Sequence, residues 1–187
     1  MKASGVSRCA IFFAFALLVA ACQRPANAPQ GANASAVVSD FFSSYQGNFR
    51  IADDQSLSSG LKKALRSIAE GETISAARMK AGEFPTDKPL ILEGEVFSGL
   101  YEGFTGYEVI GESISGKQAV VQVRFRNEPY DVTWTDEVLL VDENGWKIDD
   151  VRYAQKMAGL LSLREVLREF QRTLETETAN ASATQTP

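Results

Sequence analysis

The chain has 187 residues, enough for one domain of ordinary size, and its 44% apolar and 23% charged composition is that of a protein with a sizeable core. It contains no histidine and two cysteines, which removes the commonest general base, the commonest metal ligand and any catalytic Asp–His pair. The formal net charge of −5 argues against nucleic acid as a partner and against adsorption on anionic lipid.

Lys2 and Arg8 make the first residues basic, and the thirteen residues Cys9 to Ala21 form an apolar run. That is the size of a signal-peptide core and shorter than the roughly 20 residues a membrane-spanning helix needs. The run ends in "VAAC": aliphatic Val19, small Ala20 and Ala21, then Cys22. This stretch resembles the lipobox of bacterial lipoproteins. The resemblance implies that residues 1–21 are removed as a signal peptide and that Cys22 carries the lipid. Three acyl chains would hold the protein at the membrane permanently, whereas a single myristoyl chain binds only marginally. Cleavage would remove two basic residues and no acidic one, and would leave no free thiol. Gln23 follows the cysteine, and in the sorting rule of such lipoproteins this implies the outer membrane, facing the periplasm.

Residues 22–34 hold Pro25, Pro29, Gly31 and several Asn and Ala residues, the composition of a flexible tether. A dozen such residues reach about 20 Å on average. The opposite end, residues 177–187, is polar and is expected to be disordered.

Between these ends, residues 35–176 read as one α+β domain. In "SAVVSDFFSSYQG", Val38, Phe41, Phe42 and Tyr45 share a helical face, with Ser35 as cap and Gly47 as stop. "SLSSGLKKALRSIAEG" repeats the pattern with Leu57, Leu61, Ala64, Leu65 and Ile68 and is expected to end at Gly71, with a short helix "ISAARMKA" after it. The period then falls from 3.6 to 2. "GYEVIGESI" is the first expected strand. "KQAVVQVRFR" alternates Ala119, Val121, Val123 and Phe125 against polar neighbours. "DVTWTDEVLLV" sets Val132, Trp134, Val138 and Leu140 on one face, "DENG" makes a turn through Asn144-Gly145, and "WKIDDVRY" returns. In that last strand Trp146 and Ile148 have one parity while Val151 and Tyr153 have the other. Keeping all four inside requires a bulge at Asp149-Asp150, which would curl the sheet.

Helices followed by a strongly curved antiparallel sheet look like the nuclear transport factor 2-like cone. "KPLILEGEVFSGLYEGFTGYEVIGE" and "WKIDDVRYAQ…GLLSLREVL" are similar to a bacterial domain-of-unknown-function family whose members are often envelope lipoproteins. The resemblance spans residues 35 to about 172 and implies a fold; it carries no assigned activity.

The carboxyl-terminal "LLSLREVLREFQRTL" has Ser162 and Glu165 at capping-box spacing, and Leu161 and Val166 where a hydrophobic staple would lie. Its stripe of Leu163, Val166, Leu167, Phe170 and Leu174 packs on its own domain or, in the alternative, faces a partner through Leu163, Leu167, Phe170 and Leu174.

A pocket in the cone would be lined by Tyr45, Trp134, Asp136, Asp149 and Tyr153. Asp136 shares the inward parity of Trp134 and Val138, and a carboxylate held there among apolar walls could act as a base. The favoured expectation is instead that a bulge turns Asp136 outward and that Asp149 and Asp150 stand in solvent. No calcium loop, phosphate-binding glycine loop, GxSxG elbow or Ser/His/Asp set occurs, so no metal and no cofactor is expected. Three readings follow: a lipid-anchored, non-catalytic binding or accessory module for an envelope assembly; a small-ligand binder or hydrolase/isomerase using Asp136; or an anchored immunity protein against a periplasmic toxin.

Overall fold

A computed structural model describes residues 33–82, 86–157 and 159–184. The expectations for the signal peptide, for Cys22 and for the tether up to residue 32 lie outside the described residues.

The fold is α+β: three helices and one five-stranded antiparallel sheet in the order β1-β2-β3-β4-β5, with helices both before and after the sheet. Helix α1 spans Ala34–Ser44 and α2 spans Ser59–Ala81. The strands are β1 Gly106–Ser115, β2 Gln118–Asn127, β3 Val132–Asp142, β4 Trp146–Met157 and β5 Leu160–Ser162, and α3 covers Leu163–Thr184. Consecutive strands pair in chain order, so the sheet is a meander.

Helix α1 starts two residues earlier than a Ser35 cap would place it. Asn33, not Ser35, caps it, its side-chain Oδ1 accepting from Ala36 N at 2.7 Å. Ala34, assigned by composition to the tether, is 0% exposed and belongs to the core. Val38, Phe41 and Phe42 are buried as the helical spacing predicts.

Helix α2 corrects a second boundary. It continues through Gly71 to Ala81, so the short helix expected after Gly71 is its final turns. A glycine inside a helix costs about 0.5–1 kcal/mol relative to alanine. Here the site needs the missing side chain: a Cβ on Gly71 would lie 2.6 Å from Leu174 Cδ1 on α3. The two helices run parallel, with Ser67 bonded to Gln171, Gly71 against Leu174, and Ser75 and Arg78 bonded to Glu177. Helix α3 runs on to Thr184, past residue 177 where the polar tail is expected to begin. Leu163, Leu167 and Leu174 are buried and Phe170 packs against the core, so the stripe faces its own domain and the partner-facing alternative is corrected. Ser162 Oγ accepts from Glu165 N at 3.3 Å, while the Glu165 carboxylate accepts from Leu161 N at 2.7 Å, one residue earlier than a capping box. Leu161 itself is exposed.

In the sheet, Ala119, Val121, Val123 and Phe125 are buried, and β2 pairs with β3 without a break from Gln118↔Val141 to Asn127↔Val132. Trp134, Val138 and Leu140 face the core as expected, but Val132 is 40% exposed because it stands at the strand's outer end. On the solvent face, Glu108 and Glu137 sit opposite Arg124 and Arg152 and pair with them at 2.9 and 2.6 Å. Asn144 and Gly145 take positive φ in the turn before β4.

The bulge foreseen from parity is present. Leu139 pairs with Asp150 and Leu140 with Ile148, leaving Asp149 as the extra residue. Trp146, Ile148, Val151 and Tyr153 therefore all reach the apolar core. A second irregularity lies in β1, where the register skips Ile110 and that side chain is exposed.

Candidate functional site

The segment Glu95–Gly99 decides what the inner face of the sheet can do. It has no regular secondary structure, yet Glu95, Val96, Phe97 and Ser98 are all buried. Phe97 packs on α1, with its ring 4.8 Å from that of Phe41 and 5.1 Å from that of Tyr45. The segment lies against β3 and β4, bonded to Asp136 and Tyr153.

Asp136 is what fastens it there. The outward placement favoured from sequence is corrected: β3 runs through this position without a bulge, and Asp136 is 0% exposed. Its Oδ2 accepts from Gly99 N at 2.7 Å and from Trp134 Nε1 at 2.9 Å, and its Oδ1 accepts from Ala154 N at 2.8 Å. Burial raises its pKa above the ordinary 3.8, and the three donors oppose that shift. Gly99 is needed for the contact, since a Cβ there would stand 3.0 Å from Asp136 Oδ1 and 3.2 Å from Tyr153 Cβ. Tyr153 Oη donates to Val96 O at 2.6 Å, a second tie between sheet and segment. Burial and the nearby carboxylates push the Tyr153 phenol upward. A carboxylate with both oxygens engaged by fixed donors is a clamp, not a base within reach of a substrate.

The five side chains expected to line one pocket therefore separate into three places. Trp134, Asp136 and Tyr153 meet beneath the segment. Asp149 is remote from them: its Oδ1 accepts from Ser58 Oγ, the α2 cap, at 2.6 Å, and from the Arg164 guanidinium on α3. Its neighbour Asp150 accepts from Arg164 N at 2.9 Å and Val151 N at 2.8 Å. Neither carboxylate stands in solvent; both are half-buried and hold the helix starts against the bulged strand. The backbone adds to that junction, with Ser58 N donating to Ile148 O and Ile148 N to Ser56 O, each at 2.8 Å.

Tyr45 opens onto the third place, a cleft of about 910 Å³ between the end of α1, the middle of α2 and residues 91–104. Its floor carries a residue that the sequence reading passed over, Glu95. Glu95 is 5% exposed, and its Oε1 accepts from Phe97 N at 2.6 Å and from Tyr45 Oη at 3.0 Å. Burial raises its pKa above the ordinary 4.5, against the opposing hydrogen bonds, and burial beside Glu95 pushes the Tyr45 phenol upward. No alternation marks this region, so the periodic patterns that located the strands were silent. The available signal was local: Gly94, Gly99 and Gly103 bracket an acid joined directly to Val-Phe.

A second polar set closes one wall. Glu72 on α2 accepts from Arg50 Nε at 2.8 Å and Leu92 N at 2.7 Å, and Arg50 also donates to Leu92 O at 3.1 Å. Both partners are thereby engaged within the wall. Among the described residues no group of three or more Cys, Asp or Glu side chains is arranged to hold a metal ion. The chain matches no protein-family model, no curated protein and no solved structure.

Proposed function

We propose that this chain is a lipid-anchored, non-catalytic binding module of a bacterial envelope, held at the outer membrane through Cys22 and joined by its tether to a periplasm-facing domain. The observation that carries the non-catalytic part is Asp136. The one carboxylate on the inner face of β3 has three fixed donors and lies under the chain's own Glu95–Gly99 segment. The same observation weighs against a hydrolase or isomerase using Asp136. The finer fold, a nuclear transport factor 2-like cone, belongs to this proposal too: bulges at Ile110 and Asp149 in a five-stranded meander are the bends such curvature requires. The anchor rests on the "VAAC" run and the polar stretch after it. No helix among the described residues is long and apolar enough to cross a membrane, so attachment in this reading falls to the lipid.

The test has two parts. Cys22→Ser should leave the domain folded, abolish acyl labelling and release the protein from the outer-membrane fraction. Gentle detergent solubilisation of the wild-type protein should bring an envelope protein with it at fixed stoichiometry. Continued acyl labelling of the variant would end the anchor reading, and an isolated protein that turns over a substrate would end the non-catalytic one.

A further inference from the structure

The groove between α2 and α3 carries a charge opposite to that of the chain. It encloses about 360 Å³ and has Ala64, Ile68 and Leu167 as its apolar lining. Three cations line it, Lys63, Arg164 and Arg168, and no carboxylate does. Arg164 is engaged in the fold, its Nε and Nη2 donating to Asp149 O and Oδ1. Gly60 leaves it room, since a Cβ there would lie 3.1 Å from Nη2. Arg168 is not engaged. Every other arginine among the described residues is ion-paired, whereas Arg168 has neither an ion pair nor a hydrogen bond among them. Lys63, on the facing helix, is equally unpaired among the described residues, and both side chains are exposed. In a chain with 24 acidic and 19 basic residues, two free cations across one apolar strip are a local reversal of sign.

The place of the groove in the fold points to the source of an anion. Helix α2 starts at the end of the sheet that holds the β3–β4 turn, with Ser59 N and Oγ both bonded to Glu143 at 2.9 Å. The β1–β2 turn is at the same end, Asp142 N donating to Lys117 O at 3.0 Å. Helix α1 starts there too, Ser35 N donating to Glu112 Oε2 at 2.6 Å. From Cys22 to that start the chain spans at most about 40 Å. A membrane that holds Cys22 therefore has its head groups within reach of this end, where Lys63 stands in the first turns of α2. A guanidinium fork grips phosphate oxygens and an ammonium adds a point charge. We propose that this groove binds an anionic phospholipid of the anchoring membrane, its phosphate between Lys63 and Arg168 and the start of an acyl chain along Ala64, Ile68 and Leu167. The net charge that argues against adsorption of the chain on anionic lipid acts weakly beyond about 10 Å, so it does not govern a groove whose lining holds no acid. The inference rests on the reading of Cys22 as the anchor, and it adds a second contact with the same membrane.

The probe is dihexanoyl phosphatidylglycerol, titrated calorimetrically into the wild-type protein held in a non-ionic detergent, with empty micelles as the blank. Saturable one-to-one binding with a Kd of about a millimolar or tighter is expected for so small a molecule. Arg168→Gln and Lys63→Gln change exposed side chains without hydrogen bonds or ion pairs among the described residues, so both variants should fold. Each should weaken binding about tenfold or more, the loss of one charge-assisted hydrogen bond. Lys80→Gln, which removes the same charge at the far end of α2, should leave the affinity unchanged. Dihexanoyl phosphatidylcholine and inorganic phosphate should each bind at least about tenfold more weakly than the anionic lipid. Absence of binding, equal affinity for the zwitterionic lipid, or full affinity in the two variants would each overturn the site. Equal affinity for inorganic phosphate would overturn the lipid as its occupant. Loss of a co-purifying envelope protein from Arg168→Gln, with no lipid bound by the wild type, would overturn it in favour of an acidic protein surface. Those results leave the anchored-module reading intact while Cys22 is acyl-labelled. Lipid binding by a chain that carries no acyl label would keep the groove and overturn the anchoring membrane as its source.

Discussion

Two buried carboxylates flank the same five-residue segment and behave differently. Asp136 reaches it from the sheet side and uses both oxygens, on Gly99, Trp134 and Ala154. Glu95 reaches out from the segment itself and uses one, on Phe97 and Tyr45, leaving the other at a cleft. Burial raises the pKa of both. Burial and a shifted pKa are therefore common to a carboxylate with both oxygens held and to one that borders a cleft.

That difference can be broken by substitution. Asp136→Leu strands two amides and an indole N–H in the core and is expected to cost on the order of 3–5 kcal/mol, read from urea unfolding. Loss of less than about 1 kcal/mol would mean that the clamp does not hold the segment. The isosteric changes sharpen the contrast. Asp136→Asn turns one accepting oxygen into an NH₂ that meets a fixed donor, at a cost of about 1–3 kcal/mol. Glu95→Gln keeps one oxygen for Phe97 N and Tyr45 Oη and turns its NH₂ toward the cleft. It should be neutral within about 0.5 kcal/mol, or stabilising, at neutral pH. Equal losses at the two positions would erase the distinction.

The segment's glycines offer a test of intermediate size. Gly94 has φ of 81°, and a Cβ there would meet the Tyr101 ring at 2.4 Å. Gly94→Ala is expected to cost about 1–3 kcal/mol, from left-handed strain and displacement of the ring. Its second signature is faster hydrogen exchange at Glu95 N, which is bonded to Tyr101 O at 2.9 Å. An unchanged exchange rate would mean that Tyr101 does not brace the segment.

The pH response follows from the raised values. For an acid whose folded pKa lies above its unfolded one, the native state binds the proton more tightly, so stability falls as pH rises through the folded pKa. Starting at neutral pH, acidification toward the ordinary values of 4.5 for Glu95 and 3.8 for Asp136 should recover the stability that these two groups lose on ionisation. Glu95→Gln should flatten the Glu95 part of that slope. A slope unchanged by Glu95→Gln would show that Glu95 is not held above its ordinary value. A small effect is also expected at Ser98, whose buried hydroxyl has no partner among the described residues. Ser98→Ala should be neutral or stabilising by up to about 1 kcal/mol in the same unfolding measurement.

Local pattern alone was enough for the α+β class, the strands β1 to β4, the buried faces of α1 and β2, and the bulge at Asp149. Each is a periodicity, or a break in one, over fewer than a dozen neighbouring residues. The tertiary structure decided what pattern does not encode. Gly71 reads as a helix stop until α3 is seen lying against it, with Leu174 in the space a side chain would take. Alternation puts Asp136 inward, yet the favoured expectation turns it outward, because alternation assigns a face but not the donors that make an inward carboxylate tolerable. Those donors come from residues 99 and 154, distant in sequence and brought together only by the fold. Glu95 lies in a stretch with no period at all, and only the fold brings Tyr45 of α1 to one of its oxygens and Gly47 and Gly103 beside the other.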